Sequence, residues 1–442
     1  MDGPSRKRSH TADDNDPPTV KNARHDGPPD TRLDGSTRNS HPNALSSGWS
    51  RLFPNDSRTS SPNLNREISS FRSLGTIASF PPSRYQGGLP VTLREPLKVG
   101  EFSLDDQRKF HNDARAKKFF DDVANGVPDT RVEFDLRKGY ETFAKRDESE
   151  KEYLDFILRW IMENRVDLTS IDFVCWRGLM TKLLTTPYEN REGWIVAASK
   201  CRGTWFLYDF ETEAKKLRES QMNEEQREMT YWGYKFEQYV ATTQRGGQPD
   251  VEAPVNNAEG YCRVVKSKVN EHSLVFAGEV DCLDETTTTS APAYLELKTS
   301  RELANQRQRD NFYRFKALKF WAQSFLLGIP RIICGFRDDE GIVRRLETFQ
   351  TLRIPHLVRE IRDSWSGDVC LRFLNAFLTC VKQHVTSPDP TDVVLFTFEP
   401  RKDIVIWQCP NDSPYVFLPK WFIGDSGNGT GDNHQSLKDS SC

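Results

Sequence analysis

Ser273-Leu274-Val275-Phe276-Ala277-Gly278-Glu279-Val280-Asp281-Cys282 and, past a polar tip at Asp284 to Ser290, Ala293-Tyr294-Leu295-Glu296-Leu297-Lys298-Thr299 are the two runs on which the reading of this chain turns. Both are short, rich in aliphatic and aromatic residues and bounded by turn formers, so they predict strands. Alternate side chains of a strand leave the same face. Glu279 and Asp281 are therefore expected to project together, and Glu296 and Lys298 to do the same from the next strand. The charges alternate with Phe276, Ala277, Val280, Leu295 and Leu297, which predicts strands at least half buried. Charged groups turned inward need partners, so neighbouring strands would bring these carboxylates and one ammonium to a single patch.

Working outward, Tyr261 to Lys268 predicts a third strand and Asn223 to Val240 a helix without proline. A long helix is expected from Asn305 to Leu327, stopped by Gly328 with Pro330 beyond it. Arg331 to Arg337 and Gly341 to Phe349 predict two more strands joined by a turn at Asp338-Asp339-Glu340-Gly341. Upstream, Leu104 to Phe120 and Ser149 to Asn164 carry apolar residues at helical spacing, whereas Gly203 to Phe210 has the aromatic content of a strand. The order implies an α/β (mixed α+β) fold of twisted mixed β-sheets flanked by helices, in one large catalytic domain over 86–423. Residues 1–85 hold too few apolar side chains to offset the entropy of ordering, and predict a disordered tail. Arg6-Lys7-Arg8, Lys21 and Arg24 within it read either as a nuclear-import signal or as a chance basic cluster. A second loose end is expected over 424–442.

A net charge of -3 excludes a basic shell that coats polyanions through bulk charge, so nucleic-acid binding must be local, in a groove. Nine scattered cysteines without a Cys-x-x-Cys pair fit a reduced intracellular protein. No run is apolar enough to span a membrane, and no secretory signal opens the chain.

Clustered carboxylates raise each other's pKa unless a cation lies between them, and hard divalent ions such as Mg²⁺ or Mn²⁺ take carboxylate oxygens. Two such ions can clamp the attacking and leaving oxygens of a phosphoryl transfer, with Lys298 steadying the water or a phosphate oxygen. Taken singly, Glu-x-Asp or Glu-x-Lys is more often a solvated strand face. Glu237 sits on the apolar side of its helix and offers a fourth carboxylate, or an ordinary ion pair with Lys235 or an arginine. Arg177, between Trp176 and Gly178, can fork a phosphate or pair structurally with an acid. Gln323, within Phe320-Trp321-Ala322-Gln323-Ser324-Phe325, is either a core hydrogen bonder or a substrate ligand.

Arg177 in Trp-Arg-Gly, the Gly-x-x-x-Glu run ending at Glu237, Glu279-x-Asp281, Glu296-x-Lys298 and then Gln323 stand in one order and spacing. That series resembles the decapping and exoribonuclease (DXO) family, which includes the fungal protein that partners the nuclear 5′-to-3′ exoribonuclease. The likeness runs from about Leu93 to Trp407 and takes in Val99-Gly100-Glu101-Phe102-Ser103. It implies a nucleus-located metal-dependent hydrolase acting on RNA 5′ ends: removing pyrophosphate from triphosphate ends, incompletely methylated caps, and NAD caps. It also implies that Glu237, Glu279, Asp281, Glu296 and the Leu297 carbonyl hold two divalent ions, Mg²⁺ or Mn²⁺. Lys298 and Gln323 would orient the water and scissile phosphate, and Arg177 would contact the 5′ phosphates. Cys175 stands where a small polar residue is expected.

Two other readings remain open on the sequence. One is a non-catalytic scaffold that stabilises and activates a nuclear 5′-to-3′ exoribonuclease; an intact acid set argues for the enzyme, because buried like charges cost stability. The other is a DNA endonuclease, since Glu-x-Asp followed by Glu-x-Lys also resembles restriction-type sites. Only contacts to the 2′-OH separate RNA from DNA.

Overall fold

Asn270 adopts a left-handed conformation (φ 47°) that asparagine tolerates, and around it Gly260–Val269 and His272–Glu279 close as an antiparallel hairpin with Val269 opposite His272. The computed structural model describes residues 68–121, 131–149, 151–284 and 293–424. Phe173–Trp176 runs parallel to the second hairpin strand, placing Trp176 opposite Ala277. Leu97–Leu104 pairs with the first. These strands belong to a ten-stranded sheet among the described residues. A second, seven-stranded sheet holds Cys282–Asp284, Ala293–Arg301, Arg331–Arg337 and Ile342–Gln350.

Side-chain alternation sorts the core into layers. Phe173, Leu274 and Phe276 face inward with the helices Arg177–Thr185, Ala317–Leu327 and Gly367–His384, which fill the space toward Ile332, Cys334 and Phe336 of the second sheet. Val174, Val275 and Ala277 point the other way, onto the helix Asp155–Glu163. Beyond the second sheet, Leu295, Leu297 and Ile333 pack on Trp232, Phe236 and Val240 of the helix Glu224–Val240. That helix begins with a capping box, in which Asn223 and Gln226 satisfy each other's backbone N–H. The mixed architecture expected from the sequence is the one observed.

Three expectations are corrected. Leu104 to Phe120 forms no helix: the chain runs as the strand ending at Leu104, then Phe110–His111 and Phe119–Phe120. Asp105 and Asp113 accept backbone N–H groups two to four residues ahead at 2.8–3.1 Å, and these local turns break the helical path. The Asn305 to Leu327 helix contains a π-turn at Phe312–Lys316 between Gln306–Asn311 and Ala317–Leu327, then stops at Gly328 (φ 67°). The third concerns the boundary drawn at residue 85. Arg72–Ile77 pairs with Ile404–Gln408 at the edge of the ten-stranded sheet, and Arg372 donates to the Tyr85 carbonyl at 3.1 Å. An edge strand is held by backbone hydrogen bonds, which composition does not register. The basic cluster near Arg6 and the expected tail beyond Gly424 lie outside the described residues.

Candidate active site

The chain passes from one sheet to the other between Glu279 and Cys282, so Val280 and Asp281 form the crossing. Glu279 and Asp281 are thus not alternate residues of one strand. Glu279 ends its strand more than half exposed (56%), with Oε1 4.0 Å from Arg108. Asp281 turns toward the second sheet, where its Oδ2 accepts the Leu297 N–H at 2.5 Å. Cys282–Asp284 ends its pairing with Ala293–Arg301 at Leu295, so past that point the Leu297 edge is free to be capped by a carboxylate. The N–H and C=O of one strand residue leave by the same edge, so the Leu297 carbonyl also faces the Asp281 side.

Glu296 and Lys298 do share a face, as expected, and Lys298 Nζ lies 2.6 Å from Glu296 Oε1. Glu296 is buried (1% exposed), and its Oε2 has no hydrogen-bond partner. Glu237, on the helix that covers the second sheet, lines a cavity of about 550 Å³ together with Glu279, Asp281, Lys118 and Tyr234. Arg177 opens the helix that follows Trp176 and donates to the Glu279 carbonyl at 3.3 Å, while its Nε has no partner. This close packing explains Gly278, where a Cβ would stand 2.8 Å from the Arg177 Cβ. Gln323 is the outlier: it lines a separate cavity of about 480 Å³ with Trp176, Gly178, Lys182 and Asp209.

Electrostatics ties the acids together. Burial, reinforced by the Asp281 charge, pushes the Glu237 carboxyl up to about 8, with Lys118 and Lys298 opposing. Burial and then the Glu296 charge push Asp281 up to about 6. Glu296 goes the other way: burial resists ionisation, but Lys298 and Arg177 outweigh it and hold the carboxyl below its usual range. Burial likewise works against the Lys298 charge, and Glu296 with Asp281 more than restores it.

Among the described residues no three His, Cys, Asp or Glu side chains are placed so that they could already hold a metal ion. Asp281 and Glu296 are each turned onto a protein donor instead. The donor chemistry nevertheless fits a hard divalent cation: carboxylate oxygens, one of them buried and unpartnered on Glu296, and two acids whose ionisation is resisted until positive charge arrives.

Sequence reasoning missed Lys118, Arg108 and Tyr234. Lys118 and Arg108 fell within the segment misread as helical, so their proximity to the acids had no local signal. Arg108 forks Glu152 at 2.8 and 2.7 Å and lies near Glu279.

A family model described as RAI1-like PD-(D/E)XK nuclease matches residues 94–423. The mouse decapping and exoribonuclease protein is 43% identical over 351 residues, 77% of this chain and 87% of its own. The decapping nuclease RAI1 of Aspergillus fumigatus is 36% identical over 336 residues, 70% of this chain and 88% of its own. Likeness is therefore greater to the mouse protein than to this fungal nuclease, which shifts the emphasis of the fungal resemblance drawn from the sequence. Among solved structures, S. pombe Rai1 in complex with 3′-FADP superposes with a TM-score of 0.62 at 28% identity, covering 75% of this chain and 99% of that one.

Proposed function

Because the chain belongs to the RAI1-like PD-(D/E)XK nuclease family, we propose that Glu237, Glu279, Asp281, Glu296 and the Leu297 carbonyl hold divalent ions with which it hydrolyses phosphate linkages at RNA 5′ ends. The family makes it a nuclease. One observation carries the site assignment: Asp281, Glu296 and Lys298 meet across a sheet crossing, where Asp281 caps the Leu297 edge and Lys298 is drawn onto Glu296. Glu296-Leu297-Lys298 also fits the acid-x-Lys part of the family's motif.

Bound there, the ions would supply a water of lowered pKa and offset charge accumulating on the phosphate. Lys298 presents an ammonium beside the acids that can donate to the water or to a phosphate oxygen. Arg177, with an unpartnered guanidinium N–H, engages the 5′ phosphates. Glu237 and Asp281 must give up protons to become ligands, which their raised values delay until cation arrives. Gln323, which the resemblance assigns to the water and scissile phosphate, lines a separate cavity beside Trp176 and is not brought to the acids.

On this reading the substrates are 5′-triphosphate RNA, incompletely methylated caps and NAD caps, processed in 5′-end quality control in the nucleus beside a 5′-to-3′ exoribonuclease. Incubation with 5′-labelled triphosphate, capped, NAD-capped and monophosphate RNAs, with and without chelator, tests it. Release from at least one modified end that chelator, Asp281→Ala and Glu296→Ala each abolish is the expected result. Turnover that survives all three refutes the assignment.

A further inference from the structure

Around the acidic cavity most cations already have acceptors. Lys298 is held by Glu296 at 2.6 Å, Arg108 and Arg146 by Glu152 at 2.7 and 2.8 Å, and Lys98 and Lys117 by Glu101 at 2.5 and 3.4 Å. Lys235 donates to Gln238 and to the Val251 carbonyl at 2.8 and 2.6 Å. Lys118 differs. Among the described residues no hydrogen bond or ion pair holds its ammonium, although the side chain lines the cavity with Glu237 and Asp281.

Its position is set by backbone. The Lys118 carbonyl accepts the Leu283 N–H at 2.9 Å, and the next residue, Phe119, pairs with Leu283 on one side and Thr242 on the other. The two-residue strand Phe119–Phe120 is thereby wedged between Cys282–Asp284, which follows Asp281, and Ala241–Thr242, which follows the Glu237 helix. A half-buried lysine fixed where two acid-bearing elements meet, without an acceptor of its own, is suited to an anion that arrives from outside. Arg177 stands at the end of the first sheet, where it donates to the Glu279 backbone carbonyl at 3.3 Å. A phosphate held at these carboxylates would therefore have the Lys118 ammonium as a donor within the same cavity.

We propose that Lys118 is a substrate-binding residue that takes a phosphate oxygen of the RNA 5′ end in the acidic cavity; this rests on the carboxylate reading above. Steady-state hydrolysis of a 5′-triphosphate oligoribonucleotide by the full chain with Mn²⁺ tests it in Lys118→Met and Lys118→Arg. At saturating Mn²⁺, Lys118→Met should raise KM at least roughly tenfold, as loss of one charge-assisted contact implies. Lys118→Arg should recover most of the loss. Removing one phosphate contact should also flatten the slope of log(1/KM) against log salt by about 0.7. Wild-type KM and slope in Lys118→Met overturn the proposal, as does a defect confined to Mn²⁺ half-saturation, since the lysine would then serve only Glu237. Should Lys118→Met not fold, Lys118→Gln gives the same comparison. Asp281→Asn run in parallel reads the underlying site: turnover by that variant overturns the carboxylate reading itself, whereas an inert Asp281→Asn with an unaffected Lys118→Met overturns the lysine alone.

Discussion

Replacing Lys298 by methionine keeps the length of the side chain and removes the charge that lies 2.6 Å from Glu296. Glu296 is 2% exposed at its side chain and already has one unpartnered oxygen, so the variant leaves a buried carboxylate with Arg177 as its remaining favourable charge. Breaking a buried pair from one side costs about 3–5 kcal/mol, and partial exposure of Lys298 argues for the lower end, about 3 kcal/mol. For a domain of this size that corresponds to a fall in Tm of roughly 5 °C. The loss must depend on pH. In the wild type Glu296 is held below its usual value, so its contribution is present above the unfolded value of 4.5 and lost as pH falls through the folded one. In Lys298→Met the folded value moves above the unfolded one, so the cost grows as pH rises past 4.5. Urea denaturation of metal-free protein at pH 8 and pH 5 should show a large difference at the first and a small one at the second. A difference under about 1 kcal/mol at pH 8, or one equal at both pH values, would refute the reasoning.

Other outcomes follow from the same geometry. Glu237 and Asp281 have folded values of about 8 and about 6, above their ordinary 4.5 and 3.8, so these two groups hold more protons in the folded chain than in the unfolded one between about 4 and 8. Their contribution to metal-free stability should therefore fall as pH climbs through that window, read as the difference between wild type and Glu237→Gln/Asp281→Asn, and calorimetric Mn²⁺ affinity should rise across it. Affinity independent of pH from 6 to 8 contradicts both assignments. Arg177→Ala should weaken RNA binding while leaving Mn²⁺ affinity within about twofold, and the reverse pattern in titration rejects its role. Gly278→Ala places a Cβ 2.8 Å from the Arg177 Cβ, so a loss of about 1–3 kcal/mol in denaturant melts is expected, with a neutral substitution ruling out the tight approach.

The strands that carry chemistry were legible because alternating Leu, Val and aromatic residues mark a pleated, half-buried surface whatever the tertiary context. The Glu296 and Lys298 pairing followed directly from that alternation. The relation of Glu279 to Asp281 did not: a change of sheet within two residues has no signature in periodicity, and Val280 looks the same in either conformation. The path from Leu104 to Phe120 was misread for a related reason, since Asp105 and Asp113 act through hydrogen bonds to their own backbone rather than through apolar spacing. Lys118 was hidden with it. Gln323 was recognised by type and place in the motif series, but which cavity it lines depends on how its helix packs on the one begun by Arg177. The strand Arg72–Ile77 contributes pairing along a sheet edge, and its Pro- and Ser-rich surroundings gave composition nothing to detect.

Whether cations bind where the acids meet decides the role of every residue named at the site. Anomalous diffraction from crystals soaked in Mn²⁺ tests this directly. A peak about 2.0–2.6 Å from carboxylate oxygens of Asp281 and Glu296, with the Leu297 carbonyl or Glu237 completing the shell, is the predicted result. Crystals of protein that remains active with Mn²⁺ but shows no peak beside Asp281 and Glu296, or shows one only elsewhere, would contradict it.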